Sequence, residues 1–179
     1  KFEKLYGQKI DLEKGITKVT ALEMAGDQIR AMIIDGENTI VSDPDRAHCM
    51  HALQSLEHLV VIDIFLTETA ELADVVLPAT AWGETDGVCT NTERRVQRLR
   101  RAVDPPGEAK PDWWIVSQIA KRLGFSGFEF QSAKDVFNEL CSVSPLYNGL
   151  DWDRIAYGEY QWPVPHEQHP GTPILHRER

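Results

Sequence analysis

The segment LVVID, residues 59–63, is the strongest indication of the fold, since four apolar residues end at a carboxylate. A run without a polar face predicts a strand buried on both sides, as in parallel sheets covered by helices. Comparable short runs stand at 29–34 (IRAMII) and 74–77 (DVVL). Between them, apolar residues recur at helical spacing over 47–56, and a short acidic helix is expected over 68–72. Strand, helix, strand, helix, strand in about 50 residues predicts right-handed crossovers and an α/β fold with a mostly parallel sheet.

The rest of the chain predicts less regular structure. Residues 82–91 are expected to form a long loop, and 93–102 could be a strand or a helix. Pro111-Asp112 opens a helix that Gly124 stops, and Ser132 begins another. From residue 157 onward, prolines and the lack of periodicity predict an extended tail.

Composition excludes several classes of protein. The 179 residues carry a net charge of −9, which argues against a general nucleic-acid binder. No run approaches the roughly 18 apolar residues of a membrane span. Cys49, Cys89 and Cys141 are scattered, so they predict neither a clustered metal site nor a disulfide framework. His48, His51 and His58 likewise lack metal-binding spacing. Since the chain does not begin with Met, we expect a processed protein or a piece of a longer one.

Ligands of open parallel sheets bind outside the carboxyl ends of the strands. After the first strand comes DGENT, residues 35–39, in which Gly36 permits a close backbone approach to a phosphate; an ordinary strand–helix turn is the alternative. Asp63 could accept hydrogen bonds from a ribose or a guanine edge, cap a turn, or accept a phosphoryl group. Thr67 could contact phosphate or cap its helix. For the earlier helix over 47–56, Ser42 with Asp45 three residues on gives the start signal. Asp112 is either a first-turn helix charge or a ligand to a base.

Five arginines stand close together in this acidic chain, at positions 94, 95, 98, 100 and 101. They could clamp an anion, but a solvated face paired with acidic residues is the favoured interpretation. Neither G-x-G-x-x-G nor a P-loop is present, and no Ser/His/Asp arrangement can be argued.

Several segments of the sequence occur together, in the same order, in one known family. They are residues 32–45 (MIIDGENTIVSDPD), 61–70 (VIDIFLTETA), 73–79 (ADVVLPA), 87–98 (GVCTNTERRVQR), 106–114 (PGEAKPDWW), 161–163 (QWP) and 171–173 (GTP). The chain thereby resembles the molybdopterin oxidoreductase family of the bis-molybdopterin guanine dinucleotide type and, within it, the catalytic alpha subunits of formate dehydrogenases.

The resemblance implies a fragment of a larger subunit. Such a subunit holds molybdenum or tungsten between two molybdopterin guanine dinucleotides, usually near a [4Fe–4S] cluster, and oxidises formate to CO2. Its partners are the remainder of the alpha subunit and electron-transfer subunits. The family's cysteine cluster, metal-ligating residue and C-terminal barrel have no counterpart here. We therefore expect the fragment to be inactive alone, and a cytoplasmic location is favoured over a periplasmic one.

The resemblance also implies roles for residues. The loop Gly36-Glu37-Asn38 matches a dinucleotide contact, Ile62-Asp63 matches the pair at the guanosine end, and Asp112 matches a further guanosine contact. Thr85 stands where some relatives have a lysine that reaches the cofactor, which leaves its role in doubt. Thr67 completes the predicted cofactor-binding set.

The implied architecture is a three-layer Rossmann-like, cofactor-cradling domain over residues 1–125. A helical segment and an extended tail over 126–179 would pack on the same domain. The alternatives are a free-standing receiver-like or interaction module without redox activity, or the same domain of a nitrate reductase-type relative.

Overall fold

The computed structural model describes residues 2–7, 9, 13–158 and 160–176. The chain divides into two compact units. The sheet unit comprises Leu12–Ala81 and Pro105–Val116, and the hairpin unit comprises Lys1–Asp11, Trp82–Asp104 and Ser117–Arg179. This division differs from the boundary at residue 125 expected from sequence, which stays a prediction.

The described residues form short helices and two three-stranded sheets. The α-helices are α1 (Phe2–Tyr6), α2 (Lys18–Glu23), α3 (Thr39–Ser42), α4 (Arg46–Gln54), α5 (Asp112–Arg122) and α6 (Ala133–Val143). The strands are β1 (Ala31–Asp35), β2 (His58–Asp63), β3 (Val75–Pro78), β4 (Gly87–Thr90), β5 (Arg95–Leu99) and β6 (Tyr160–Gln161). Two 3-10 helices cover Ala70–Leu72 and Arg154–Ala156.

The sheet unit is built on a parallel sheet of order β1-β2-β3, which confirms the predicted α/β class. Ile34 pairs with Val61, and Val61 pairs with Val76. One face of this sheet is covered by helices. Its buried core consists of Leu22, Ile34, Ile40, Cys49, Ala52, Leu53, Leu59, Val61 and Ala70. Full burial of each larger side chain contributes about 1.5–3 kcal/mol, so this core holds the strand ends in place.

The prediction that β3 is buried is wrong. Val75 and Val76 remain 39% and 38% exposed. Among the described strands, β3 lies at the edge of the sheet and pairs along its length with β2 alone. An apolar run therefore marks the strand correctly, but the position of the strand in the sheet decides its burial.

The helix expected to start at Ser42 starts later, at Arg46. Asp45 is its N-cap, and the Asp45 carboxylate accepts the His48 backbone N–H at 3.0 Å. Ser42 instead ends α3, and its hydroxyl donates to Glu37 at 3.0 Å. The pattern therefore indicates a helix start correctly, but Asp45 rather than Ser42 is the N-cap.

The hairpin unit contains an antiparallel sheet of order β4-β5-β6. The expected loop over 82–91 is therefore wrong for Gly87–Thr90, and the ambiguous segment 93–102 contains a strand. Pairing of Val88 with Arg98 and of Thr90 with Val96 fixes this hairpin. The tail contributes β6, so pairing with β5 rather than any local signal orders it.

A second core holds the hairpin unit together. Its buried members are Val96, Phe137, Cys141, Leu150, Trp152, Ile155 and Val164. They come from β5, α6 and the segment after residue 144. Ser132 caps α6 as predicted, because its side chain accepts the Asp135 backbone N–H at 3.3 Å.

Candidate cofactor site at the carboxyl edge of the parallel sheet

Three carboxylates meet at one edge of the sheet unit. Asp35 ends β1, Asp63 ends β2, and Asp112 begins α5. The parallel register brings the first two together, because Asp35 lies opposite Ile62. A backbone hydrogen bond positions the segment before Asp112, because the Lys110 N–H donates to the carbonyl of Pro78 at 3.0 Å. The end of β3 thus holds the segment that leads into α5.

The electrostatics confirm that these carboxylates interact. Burial raises the pKa of Asp35 above its ordinary value, and the charges of Asp112 and Asp63 raise it further. Burial is also the main cause that raises the pKa of Asp112, with a smaller contribution from Asp63 and an opposing backbone hydrogen bond. Within the described ranges, no lysine or arginine forms an ion pair with any of the three. The site therefore favours a ligand that presents hydrogen-bond donors or positive charge.

Gly36 leaves open space beside the carboxylates. Its φ is +64°, a left-handed conformation that side-chain-bearing residues rarely adopt. A Cβ built there would have no heavy atom within 4 Å. The Gly36 N–H donates to the carbonyl of Ile62 at 2.8 Å, which fixes the turn against the end of β2. A ligand can therefore approach the backbone closely at this point.

One carboxylate oxygen of Asp63 accepts hydrogen bonds from the loop that follows it, and the other can accept one from a ligand. Its Oδ1 accepts the N–H of Ile64 at 2.7 Å and, more weakly, that of Phe65 at 3.4 Å. Its Oδ2 accepts no hydrogen bond from any described residue. Phe65 and Leu66 beyond it are largely exposed. The carboxylate is thus oriented by one oxygen while the other stays available.

Asn38 joins the loop after β1 to the loop before the first 3-10 helix. Its amide nitrogen donates to Glu68 at 2.7 Å, and its Oδ1 accepts the Thr69 hydroxyl at 2.8 Å. The same hydroxyl accepts the Ile40 N–H at 3.1 Å, and Thr69 is fully buried. The Asn38 side chain therefore holds the loop after β1 against the loop before the 3-10 helix.

The other predicted residues of the sheet unit also have protein partners. Glu37 forms an ion pair with Lys18 at 2.5 Å, whose hydrogen bond lowers the Glu37 pKa. The Thr67 hydroxyl accepts the Ala70 N–H at 3.2 Å and so caps the 3-10 helix. Ile62 is fully buried, which leaves only its backbone near the site. The predicted cofactor contacts of these residues stay predictions.

Thr85 lies in the hairpin unit, whereas the other predicted site residues lie in the sheet unit. Its hydroxyl donates to the carbonyl of Asp86 at 3.1 Å. Its predicted cofactor contact also stays a prediction.

Sequence reasoning did not select Asp35 as a site residue. The available signal was its position, because Asp35 ends β1 as Asp63 ends the neighbouring strand. Because the carboxyl ends of parallel strands lie at one edge of a sheet, Asp35 and Asp63 are both expected at that edge.

The arginine run forms varied contacts within the hairpin unit. Arg95 pairs with Glu93 at 2.8 Å, and Arg101 pairs with Asp104, as expected for a solvated face. Arg94 instead donates to the carbonyls of Trp162, Thr172 and Pro173. Arg98 stacks on Trp152, and Arg100 donates to a carbonyl. The run is therefore partly structural rather than wholly paired with acids.

Among the described residues, no group of three or more His, Cys, Asp or Glu side chains is arranged to hold a metal ion. No helix in the described ranges is long and apolar enough to cross a bilayer.

Comparison with known proteins shows consistent similarity. The family model described as molybdopterin oxidoreductase matches residues 3–122. F420-dependent formate dehydrogenase subunit alpha of Methanocaldococcus jannaschii is 48% identical over 99% of this chain and 27% of its own length. F420-dependent formate dehydrogenase 1 subunit alpha of Methanococcus maripaludis is 45% identical over 100% of this chain and 27% of its own. The chain thus spans about a quarter of these relatives.

A solved structure with a similar fold is acetylene hydratase from Pelobacter acetylenicus. The TM-score is 0.65 over 80% of this chain and 20% of that one. At 21% sequence identity, this similarity concerns the fold alone.

Proposed function

Because the chain belongs to the molybdopterin oxidoreductase family, we propose that it is part of the catalytic alpha subunit of a formate dehydrogenase. In this proposal the sheet unit binds the guanosine end of one molybdopterin guanine dinucleotide. The names of the relatives support the reaction, and their greater length assigns it to the parent subunit rather than to these residues alone.

The observation that carries the cofactor assignment is the group of unpaired carboxylates beside Gly36. Guanine presents N1–H and N2–H₂ as adjacent donors, and ribose presents two hydroxyls. Asp63 and Asp112 supply acceptor oxygens. A donor ligand would replace the hydration that burial removes from Asp35 and Asp112, which is the main cause of their raised pKa values, and would also reduce the smaller effect of the neighbouring carboxylates. The chemistry of the residues present therefore fits the guanosine part of the cofactor.

Different residues would have different duties at this site. Asp63 and Asp112 accept hydrogen bonds from the guanosine, and Gly36 lets the backbone approach the diphosphate. Asn38 and Thr69 hold the Gly36 loop in place. When bound, the molybdopterin and its molybdenum or tungsten ion supply the redox chemistry that converts formate to CO2. These residues bind and orient the cofactor and take no part in bond breaking.

The parent enzyme would need components outside this chain. They include the metal ligand, the second dinucleotide site, a [4Fe–4S] cluster and electron-transfer subunits. The relatives from Methanocaldococcus and Methanococcus are named F420-dependent, so F420 is the acceptor to test first in the parent complex. The 179-residue chain alone is expected to show no formate-dependent dye reduction, and measurable turnover would contradict this.

The direct test is a titration of the chain with GMP, followed by backbone amide shifts in NMR spectra. We expect weak binding, because much of the cofactor's contact surface must come from other parts of the parent. Shifts should centre on Gly36, Asp63 and Asp112. AMP, which lacks the guanine N1–H and N2–H₂ donors, should shift these amides less.

Matched variants sharpen this test. Asp112→Asn should weaken GMP binding, whereas Asp27→Asn changes an exposed carboxylate elsewhere in the sheet unit and should leave it unchanged. Equal responses to GMP and AMP, or shifts confined to the hairpin unit, would overturn the guanosine assignment.

A further inference from the structure

We propose that the hairpin unit carries a second anion site, for phosphate groups, beside the end of β5. An open cavity of about 290 Å³ lies there. Gln97, Arg98 and Arg100 line one side, and the segment 155–158 lines the other. All lining residues of this cavity belong to the hairpin unit, and the three carboxylates belong to the sheet unit.

Arg98 is held in place but incompletely bonded. Its guanidinium carbon lies 4.2 Å from the ring centroid of the buried Trp152, a cation–π contact that fixes the side chain. Its Nε is buried and has no hydrogen-bond partner. Buried N–H groups in native proteins nearly always have a partner, so an oxygen brought by a ligand could satisfy this donor.

Arg100 adds a second oriented charge. One of its terminal nitrogens donates to the carbonyl of Ala156 at 2.8 Å, which directs the guanidinium along the cavity wall. Arg98 lies in β5 and Arg100 directly follows the strand, and both side chains line the cavity. No carboxylate in the described part of the chain forms an ion pair with either one. Among the described residues, two guanidiniums without an acidic partner therefore line one small cavity.

The charge and the size of this cavity select the ligand. Two guanidiniums balance a phosphate dianion, whereas a monocarboxylate would leave one positive charge uncompensated. The planar fork of each guanidinium also matches phosphate oxygens. Pockets for drug-sized ligands range from about 300 to 1,000 Å³, so a cavity of about 290 Å³ suits a small group.

The test is a titration of the 179-residue chain with inorganic phosphate at constant ionic strength, followed by NMR of backbone amides and arginine Nε–H groups. We expect saturable shifts over 97–100 and 155–158, with the Arg98 Nε–H among the most affected signals. Acetate should bind at least about tenfold more weakly. Shifts that rise linearly, or equal affinities for phosphate and acetate, would overturn the proposal.

Variants separate this site from general charge effects. Arg100→Gln should weaken phosphate binding about tenfold, because it removes one charge-assisted donor. Arg101→Gln is the matched control, since Arg101 pairs with Asp104 and does not line this cavity. Its affinity should stay within about twofold of the parent value. Arg100→Lys keeps the charge, so it should bind better than Arg100→Gln even if both variants lose some stability. Equal losses in Arg100→Gln and Arg101→Gln would refute the site.

Discussion

Replacing Thr69 by valine is expected to loosen the loop that carries Gly36. Valine keeps the branched shape of this fully buried side chain but removes its hydroxyl. The Ile40 N–H then loses the acceptor that it has at 3.1 Å. Asn38 Oδ1 loses the hydroxyl at 2.8 Å but keeps the Thr69 N–H at 3.3 Å. The main cost is therefore one unsatisfied buried N–H group.

This loss has a definite size. Leaving a buried donor unsatisfied costs about 1–3 kcal/mol, so we expect Thr69→Val to lower the free energy of unfolding by about 2 kcal/mol. For a chain of this length, that corresponds to a fall in Tm of about 4–8 °C. Thr69→Ser is the matched control, because it keeps the hydroxyl and removes one methyl group, at a cost of about 1 kcal/mol.

Urea unfolding of the three proteins measures the stabilities, with m-values compared to check that the transitions are equivalent. Hydrogen exchange of the Ile40 amide gives the local readout, which should accelerate in Thr69→Val more than in Thr69→Ser. If Thr69→Ser is the less stable variant, or Ile40 exchange is unchanged in Thr69→Val, packing rather than hydrogen bonding holds this loop and the reasoning fails.

Three further predictions concern strain, charge and reactivity. Gly36→Ala should lower the free energy of unfolding by about 1–2 kcal/mol, which is the cost of the left-handed backbone conformation alone. Gly26→Ala should lower it more, because the added Cβ would lie 2.9 Å from the Ser55 carbonyl oxygen. Urea unfolding measures both, and equal losses of stability would contradict this. Asp35 has a folded-state pKa raised above 3.8, so its destabilising effect is absent at low pH and grows as pH rises through that pKa. Asp35→Asn should therefore match the stability of the parent near pH 3 and exceed it at pH 7, with a smaller gain in high salt, in unfolding measured across pH; a stability difference that does not change with pH would contradict this. Iodoacetamide at pH 8 should alkylate exposed Cys89 first, since burial raises the pKa of Cys141 to about 12 and also raises that of Cys49; mass spectrometry checks the order, which urea should abolish.

Local patterns predicted much of the sheet unit. Apolar runs and their abrupt polar ends marked all three parallel strands, but burial along most of the strand, which excludes polar residues, applies only to β2 among the described strands of this sheet. They could not show that β3 lies at an edge, since edge position depends on which strands pair. The hairpin of β4 and β5 was missed in part for a related reason, because its stability comes from pairing and from a core that includes distant Trp152 and Val164.

For the candidate site, local sequence patterns place Gly36 and Asp63 at strand ends and hence at one edge of a parallel sheet. That Asp112 joins Asp35 and Asp63 there follows from long-range packing, because the Lys110–Pro78 backbone hydrogen bond connects segments far apart along the chain. Long-range packing also places Asn38 where its Oδ1 accepts a hydrogen bond from the Thr69 hydroxyl. Strand ends follow from local hydrophobicity, whereas the proximity of charges and the choice of hydrogen-bond partners depend on long-range packing, which no local pattern records.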